Sequence, residues 1–105
     1  MTLDVRYHPE ALAELRAEVT WYEDRGAGLG SRFEAAADET VDTVLGWPES
    51  GAVWPGWDSI PAVRSRRVAG FPFRLAYLVQ PSEIVVIAFA HDKRLPGYWR
   101  ERVSE

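Results

Sequence analysis

The stretch Ala88-Phe-Ala-His-Asp-Lys-Arg-Leu-Pro-Gly-Tyr-Trp99 places His91, Lys93, Arg94, Tyr98 and Trp99 where an apolar run gives out. Arg74 precedes it in Phe73-Arg-Leu-Ala-Tyr-Leu-Val79, and Arg64 and Arg66 stand in the segment before that. Guanidinium groups grip phosphate through paired hydrogen bonds and stabilise charge as it develops. An imidazole titrates near neutrality and can move a proton, and a phenol ring can stack on a base. The set suits phosphodiester chemistry. No carboxylate pair or cluster of divalent-metal ligands stands beside it, so any nuclease step read from it is metal-free, and neither metal nor cofactor is expected. The same residues also suit structural duties: Arg94 neutralising a chain terminus, His91 capping a strand, and Tyr98 and Trp99 closing a short helix over 98–103.

Other chemistries are poorly served. Ser31, Ser50, Ser59, Ser65, Ser82 and Ser104 have no basic partner at a readable spacing, so a hydrolase triad is not supported. Gly26, Gly28 and Gly30 lie between helices and follow no strand, which excludes a phosphate loop. The absence of cysteine excludes disulfides and thiolate metal sites, and two histidines speak against zinc. His8, beside a helix start, reads as structural.

The elements that must position the cluster are legible along the chain. Leu3, Val5 and Tyr7 alternate with charged residues, predicting a half-buried strand. Pro9 and Glu10 open a helix, and Leu12, Leu15, Val19 and Tyr22 carry one face of it to about Glu23. Arg25-Gly-Ala-Gly28 breaks it, and a second helix follows with Leu29, Phe33, Ala36, Thr40 and Val44 on one face, stopping at Gly46 and Pro48. Residues 47–62 read as a surface loop, with Trp47, Trp54 and Trp57 packed over the edge of the core.

Strands are predicted over 62–68, 73–79 and 83–90, the last two joined by a tight Pro81-Ser82 turn. That turn pairs Gln80 with Glu83, which sets Arg74 opposite Phe89 and Pro72 opposite His91. One face then carries Phe73, Leu75, Tyr77, Val79, Ile84, Val86 and Ala88 against the helices. The other carries Arg74, Ala76, Leu78, Val85, Ile87, Phe89 and His91. Left open, that second face is a partner surface centred on Leu78 and Phe89; otherwise the C-terminal segment with Trp99 folds back over it. The fold expected is α+β: β-α-α-β-β-β, a helical hairpin on one face of a small, mainly antiparallel sheet.

At 105 residues the chain suits one domain, 1–105. Its net charge of −4 is unevenly spread. Residues 1–63 hold four arginines against 12 acids, whereas 64–105 hold seven arginines and one lysine against four acids. The split suggests either two halves with different partners or acids coating exposed helix faces. The opening segment has no apolar run of signal-peptide length, and no segment nears the ~20 apolar residues of a membrane span. A cytoplasmic protein without membrane contact is expected.

Three stretches, in order, resemble one family: Val5-Arg-Tyr-His-Pro-Glu-Ala-Leu-Ala-Glu-Leu15, Val68-Ala-Gly-Phe-Pro-Phe-Arg-Leu-Ala-Tyr77 and Ile87-Ala-Phe-Ala-His-Asp-Lys-Arg-Leu-Pro-Gly-Tyr-Trp99. Together they are similar to the RelE/ParE superfamily of bacterial type II toxins, in particular its ParE-like, plasmid-stabilisation branch. The resemblance implies a small toxin neutralised by a cognate antitoxin protein. RelE-like members cut mRNA on the ribosome without a metal, and by that likeness Arg74 and Arg94 fall on phosphate-binding and transition-state-stabilising arginines. Tyr98 falls near a C-terminal tyrosine, at imperfect spacing. ParE-like members share the scaffold, lack the full catalytic set and inhibit DNA gyrase by binding it.

This chain has a single lysine, Lys93, and is acidic overall, which suits ribosomal RNA poorly because such binding is largely electrostatic. The ParE-like reading is therefore preferred, with Arg64, Arg66, Leu78, Phe89, Lys93 and Trp99 as target- or antitoxin-binding residues. His91, with Arg74, Arg94 and Tyr98, forms the catalytic set of the nuclease alternative. An attenuated relative that only binds antitoxin is the third reading.

Overall fold

The structure, a computed structural model, describes residues 3–104. The order is β1 (Asp4–Tyr7), α1 (Pro9–Arg25), α2 (Leu29–Gly46), β2 (Ala52–Val53), β3 (Val63–Arg67), β4 (Phe73–Val79) and β5 (Glu83–His91), followed by a 3-10 turn over Arg100–Ser104. The expected β-α-α-β-β-β order is present, with one added two-residue strand inside the Trp-rich segment. The sheet runs β1-β5-β4-β3-β2, antiparallel except where β1 lies parallel to β5. No helix among the described residues is long and apolar enough to cross a membrane.

Local chemistry sets the helix ends. His8 caps α1, its Nδ1 accepting the Glu10 N–H at 3.1 Å, with Pro9 preset for the first turn. The residue before α2, Gly28, has no side chain to offer, and Glu23 of α1 substitutes. Its carboxylate accepts the N–H groups of Gly28 and Gly30, each at 3.0 Å, and places negative charge at the positive end of the helix. Gly30 also lets the helices approach, since a Cβ there would lie 2.5 Å from the Val19 carbonyl oxygen.

The helical hairpin covers one sheet face. Leu15, Phe33, Val44, Phe73, Leu75, Tyr77 and Val86 are buried there, with the rings of Tyr22, Phe71 and Phe73 each 5.1–5.2 Å from that of Phe33. Full burial of each such side chain contributes about 1.5–3 kcal/mol. The second sheet face is not left open. Trp99, wholly buried, lies over Val63, Leu78, Val85 and Ile87, flanked by Trp54 edge-on at 5.0 Å and by Trp57 at 5.5 Å. Of the two alternatives for this face, folding back of the C-terminal segment is the one realised. Trp47, expected over the core, is instead 64% exposed.

Residues 48–51 are tied to the sheet by polar bonds. The buried Tyr77 hydroxyl donates to the Pro48 carbonyl at 2.7 Å and accepts the Gly51 N–H at 3.0 Å. Arg64 donates to the Gly51 carbonyl at 2.8 Å, and Arg66 to that of Ser50 at 3.4 Å.

The β4–β5 register departs from expectation halfway along. From the turn to Tyr77↔Val86 the pairing is as predicted, but Ala76 then pairs with Ala88, leaving Ile87 as an extra residue. This β-bulge shifts every later partner by one: Arg74 lies opposite Ala90 rather than Phe89, and Phe73, not Pro72, opposite His91. Because side chains alternate faces, the slip turns Phe89 into the helix-side core and Ala88 and Ala90 to the other side. Phe89 and His91 therefore do not share a face with Arg74.

Candidate functional site

Where β5 ends, the chain is steered by backbone bonds. The Asp92 N–H donates to the Pro72 carbonyl at 2.9 Å and the Arg94 N–H to that of His91 at 3.0 Å. A Leu95-Pro-Gly-Tyr98 turn follows, closed by the Tyr98 N–H on the Leu95 carbonyl at 3.1 Å. Gly97 has φ +79°, which the third position of a Pro-Gly type II turn requires and which a side chain would resist. This turn reverses the chain and delivers Tyr98 and Trp99 back to the sheet.

Between the turn and the sheet lies a cleft of about 180 Å³ lined by Arg74, Arg94, His91, Tyr98, Trp99 and Trp54, among others. It brings together most of the residues singled out for chemistry. Arg74 is exposed and lies opposite Arg67 across β3–β4. Arg67 is bound by Asp92, its Nη2 donating at 2.8 Å. That hydrogen bond holds the Asp92 carboxyl below its ordinary range, helped by the nearby charges of Arg67 and Arg74, against a smaller opposing effect of burial. Arg74, Lys93 and Arg94 make no salt bridge among the described residues, so their charge faces outward.

The groups whose chemistry suits proton transfer are hydrogen-bonded. His91 packs edge-on against Phe73 at 4.9 Å, and its Nδ1 accepts the Lys93 N–H at 2.9 Å, so the neutral ring carries its proton on Nε2. The Tyr98 hydroxyl donates to Glu14 Oε2 at 2.6 Å. Burial, reinforced by the Glu14 hydrogen bond and charge, pushes the phenol well above its ordinary range, and Arg102 and Arg94 offset this only in part. The Arg94 guanidinium lies 3.9 Å from the Tyr98 ring centre, a cation–π contact that holds it over the ring face. Trp99 lines the same cleft, and its buried Nε1 has no hydrogen-bond partner among the described residues.

The anchor of this end of the molecule is Glu14, on α1. Its carboxylate takes Nη1 and Nη2 of Arg102 at 3.0 and 3.1 Å, besides the Tyr98 hydroxyl, and accepts the Phe89 N–H at 3.1 Å. Arg102 also donates to the Ile87 carbonyl at 3.1 Å and stands 3.4 Å from Glu10. Beyond Val86, where β1 no longer lies alongside, these two side chains serve the free edge of β5 in place of a strand.

The other expected site residues lie apart. Arg64 and Arg66 occupy the alternate positions of β3 from Arg67, so they flank the helix-side face and fasten residues 50–51 rather than joining Arg74. Leu78 and Phe89, taken as a partner surface, are each 2% exposed and lie in the two cores, and Trp99 is fully buried. Glu14, Arg102, Arg67 and Asp92 went unnoticed in the sequence. Only the side-by-side arginines 64, 66 and 67 hinted at one of them, and strand parity alone does not say which meets Arg74. Among the described residues, no group of three or more His, Asp or Glu side chains is disposed to hold a metal ion.

Comparison with known proteins bears on the family and the fold. The family profile described as the ParE toxin of type II toxin-antitoxin system, parDE, matches residues 5–96. No curated protein sequence matches the chain. Among solved structures, the chromosomal ParDE toxin-antitoxin system from P. aeruginosa superposes with a TM-score of 0.70 at 21% identity, covering 86% of this chain and 96% of that one. A mutant of the E. coli toxin RelE in the free state gives a TM-score of 0.63 at 20% identity, covering 100% of this chain and 94% of that one. At these identities the two structures speak for the fold, whereas the profile spans both helices and all of the sheet but Asp4, and ends at Pro96. The chain belongs to the ParE toxin family of type II toxin-antitoxin systems.

Proposed function

We propose that the protein is the toxin of a toxin–antitoxin pair, that it arrests growth by binding DNA gyrase rather than by catalysis, and that a cognate antitoxin neutralises it in the cytoplasm. Family membership supports the first part. The single observation that favours binding over catalysis is the state of Tyr98. Its hydroxyl is bound to Glu14 at 2.6 Å, and its proton is held more tightly than in a free phenol. A general acid or base works best when its pKa lies near the operating pH, which this phenol does not meet. What remains is fixed positive charge, on Arg74 and Arg94 in the cleft and on Lys93 outside it, suited to recognising an acidic surface.

The test is a supercoiling assay with purified protein and gyrase. Inhibition is expected, weakened when Arg74 and Arg94 are both replaced by alanine. Full supercoiling at a large molar excess would overturn the gyrase assignment. The paired arginines on a scaffold shared with RelE keep a second reading, a ribosome-dependent mRNA endoribonuclease. Cut transcripts during growth arrest, abolished by Arg74→Ala or Arg94→Ala, would establish that reading in place of the first. Growth unaffected by expression would identify an attenuated antitoxin-binding relative.

A further inference from the structure

A second concave surface lies on the helix side of His91. One hollow, of about 360 Å³, is lined by Ala17, Phe73, Phe89, Lys93 and Arg94, among others. Its neighbour, of about 380 Å³, is lined by Trp21, Tyr22 and Pro72. The two share Glu18 and His91, and so form one furrow. On α1 its wall is the stripe 14, 17, 18, 21 and 22, positions that share a helix face. Eight residues separate the ends of that stripe, about 12 Å of helix at ~1.5 Å per residue. That is long enough for about two helical turns of a partner or about four extended residues.

The furrow's chemistry is lopsided. Its bed is aromatic, and Ala17 leaves space in the middle of the wall, where a long side chain would fill it. Trp21 is 47% exposed, with the Arg25 guanidinium 4.0 Å from its ring centre. The lip on the β5 side carries Lys93 and Arg94, neither in a salt bridge among the described residues. On the helix side the Glu14 charge is answered by Arg102, which leaves Glu18 as the carboxylate without a salt bridge among those residues. A phosphate backbone seated here would run against Glu18 and over an apolar bed, so the furrow does not suit nucleic acid.

We infer that this furrow is a docking site for a protein segment that inserts an apolar side chain above Ala17 and sets a carboxylate beside it against Lys93 and Arg94. The assignment rests on the reading of the protein as one that works by binding others, but it does not require gyrase to be the target. The furrow shares His91 and Arg94 with the Arg74 cleft, so one partner seated across both would engage the whole basic end.

The experiment is selection from a random peptide display library on the immobilised full-length chain, followed by anisotropy titration of an enriched peptide. Enriched sequences are expected to pair an aliphatic or aromatic residue with a nearby Asp or Glu. Ala17→Arg and Lys93→Glu, both at exposed positions, are each expected to weaken binding about tenfold or more. Replacing the peptide's acid by lysine should restore binding to the Lys93→Glu protein, whereas Arg32→Glu on α2 should change nothing. Failure to enrich any peptide, enrichment of basic peptides, or affinity indifferent to Ala17→Arg would each overturn the inference. So would a concentration-dependent dimer abolished by Ala17→Arg, which would put a second copy of the chain in the furrow. Gyrase inhibition is read in a separate assay, so either idea can fail while the other stands.

Discussion

Replacing Glu14 by alanine tests whether one helix carboxylate holds the C-terminal segment to the rest of the fold. The Arg102 side chain is 10% exposed and that of Glu14 17%, so the small values measured for solvated surface pairs do not apply. Removing one partner of a buried pair costs about 3–5 kcal/mol, because the other charge is left without compensation. Arg102 would keep Glu10 at 3.4 Å and the Ile87 carbonyl at 3.1 Å, which argues for the lower end. The Tyr98 hydroxyl and the Phe89 N–H would lose their acceptor, which argues against anything less. The expected loss is about 3 kcal/mol, or about 12–15 °C in Tm for a chain of this size. Urea unfolding should show a lowered midpoint at constant slope. Arg102→Ala should cost a comparable amount, and the double variant clearly less than the two together, since both remove one interaction. A Glu14→Ala loss below about 1 kcal/mol, or strict additivity, would refute this account and mean that the network behaves as if exposed.

Other expectations follow from single contacts. The Tyr98 phenol holds its proton more tightly folded than unfolded, so its share of stability is complete below about pH 10 and declines as pH rises through the folded value. Unfolding titrations on Tyr98→Phe should show a shallower alkaline slope, the remainder coming from Tyr7 and Tyr22, whose phenols are also raised. Asp92 has the opposite sign: its contribution is present above its ordinary pKa of about 3.9 and disappears as pH falls through the lowered folded value. Arg67→Ala should therefore bring the Asp92 titration, followed by NMR, back to the ordinary range, while costing only about 0–1 kcal/mol at neutral pH. Gly30→Ala forces a methyl to within 2.5 Å of the Val19 carbonyl oxygen and should destabilise by about 1–3 kcal/mol in chemical denaturation, with the helices pushed apart. Tyr77→Phe strands the Pro48 carbonyl and Gly51 N–H, and should expose residues 48–51 to faster hydrogen exchange while the distant α1–α2 contact stays protected.

Signals carried by near neighbours were readable from sequence. Pro9 after His8, the glycines between the helices and the Pro81-Ser82 turn each act over a few residues, and each lies where expected. The bulge at Ile87 had no such mark. Val85 through Ala90 are all apolar, so a one-residue slip leaves no polar side chain on the wrong face to betray it. The candidate site inherited that blindness, because the face of every residue from Ala88 to His91 depended on the slip. Glu14 looked like any solvent-facing helix acid, since its partners Tyr98 and Arg102 are 84 and 88 residues away. The tryptophans of 47–62 could be counted but not sorted, because Trp54 and Trp57 pack only once Trp99 has arrived to meet them.

The parallel pairing of β1 with β5 also bears on how the chain is made. Asp4 pairs with Glu83, so the first strand waits for 79 further residues, about 4–16 s at ordinary rates of synthesis. Meanwhile the helical hairpin exists with no sheet to cover Leu15, Phe33 and Val44. The excess of acids in residues 1–63 gives that half-made chain a net negative charge, and like charge opposes association. The Glu14–Arg102 clasp joins side chains 88 residues apart, so the basic end takes its shape only after the last strand of the sheet has been made.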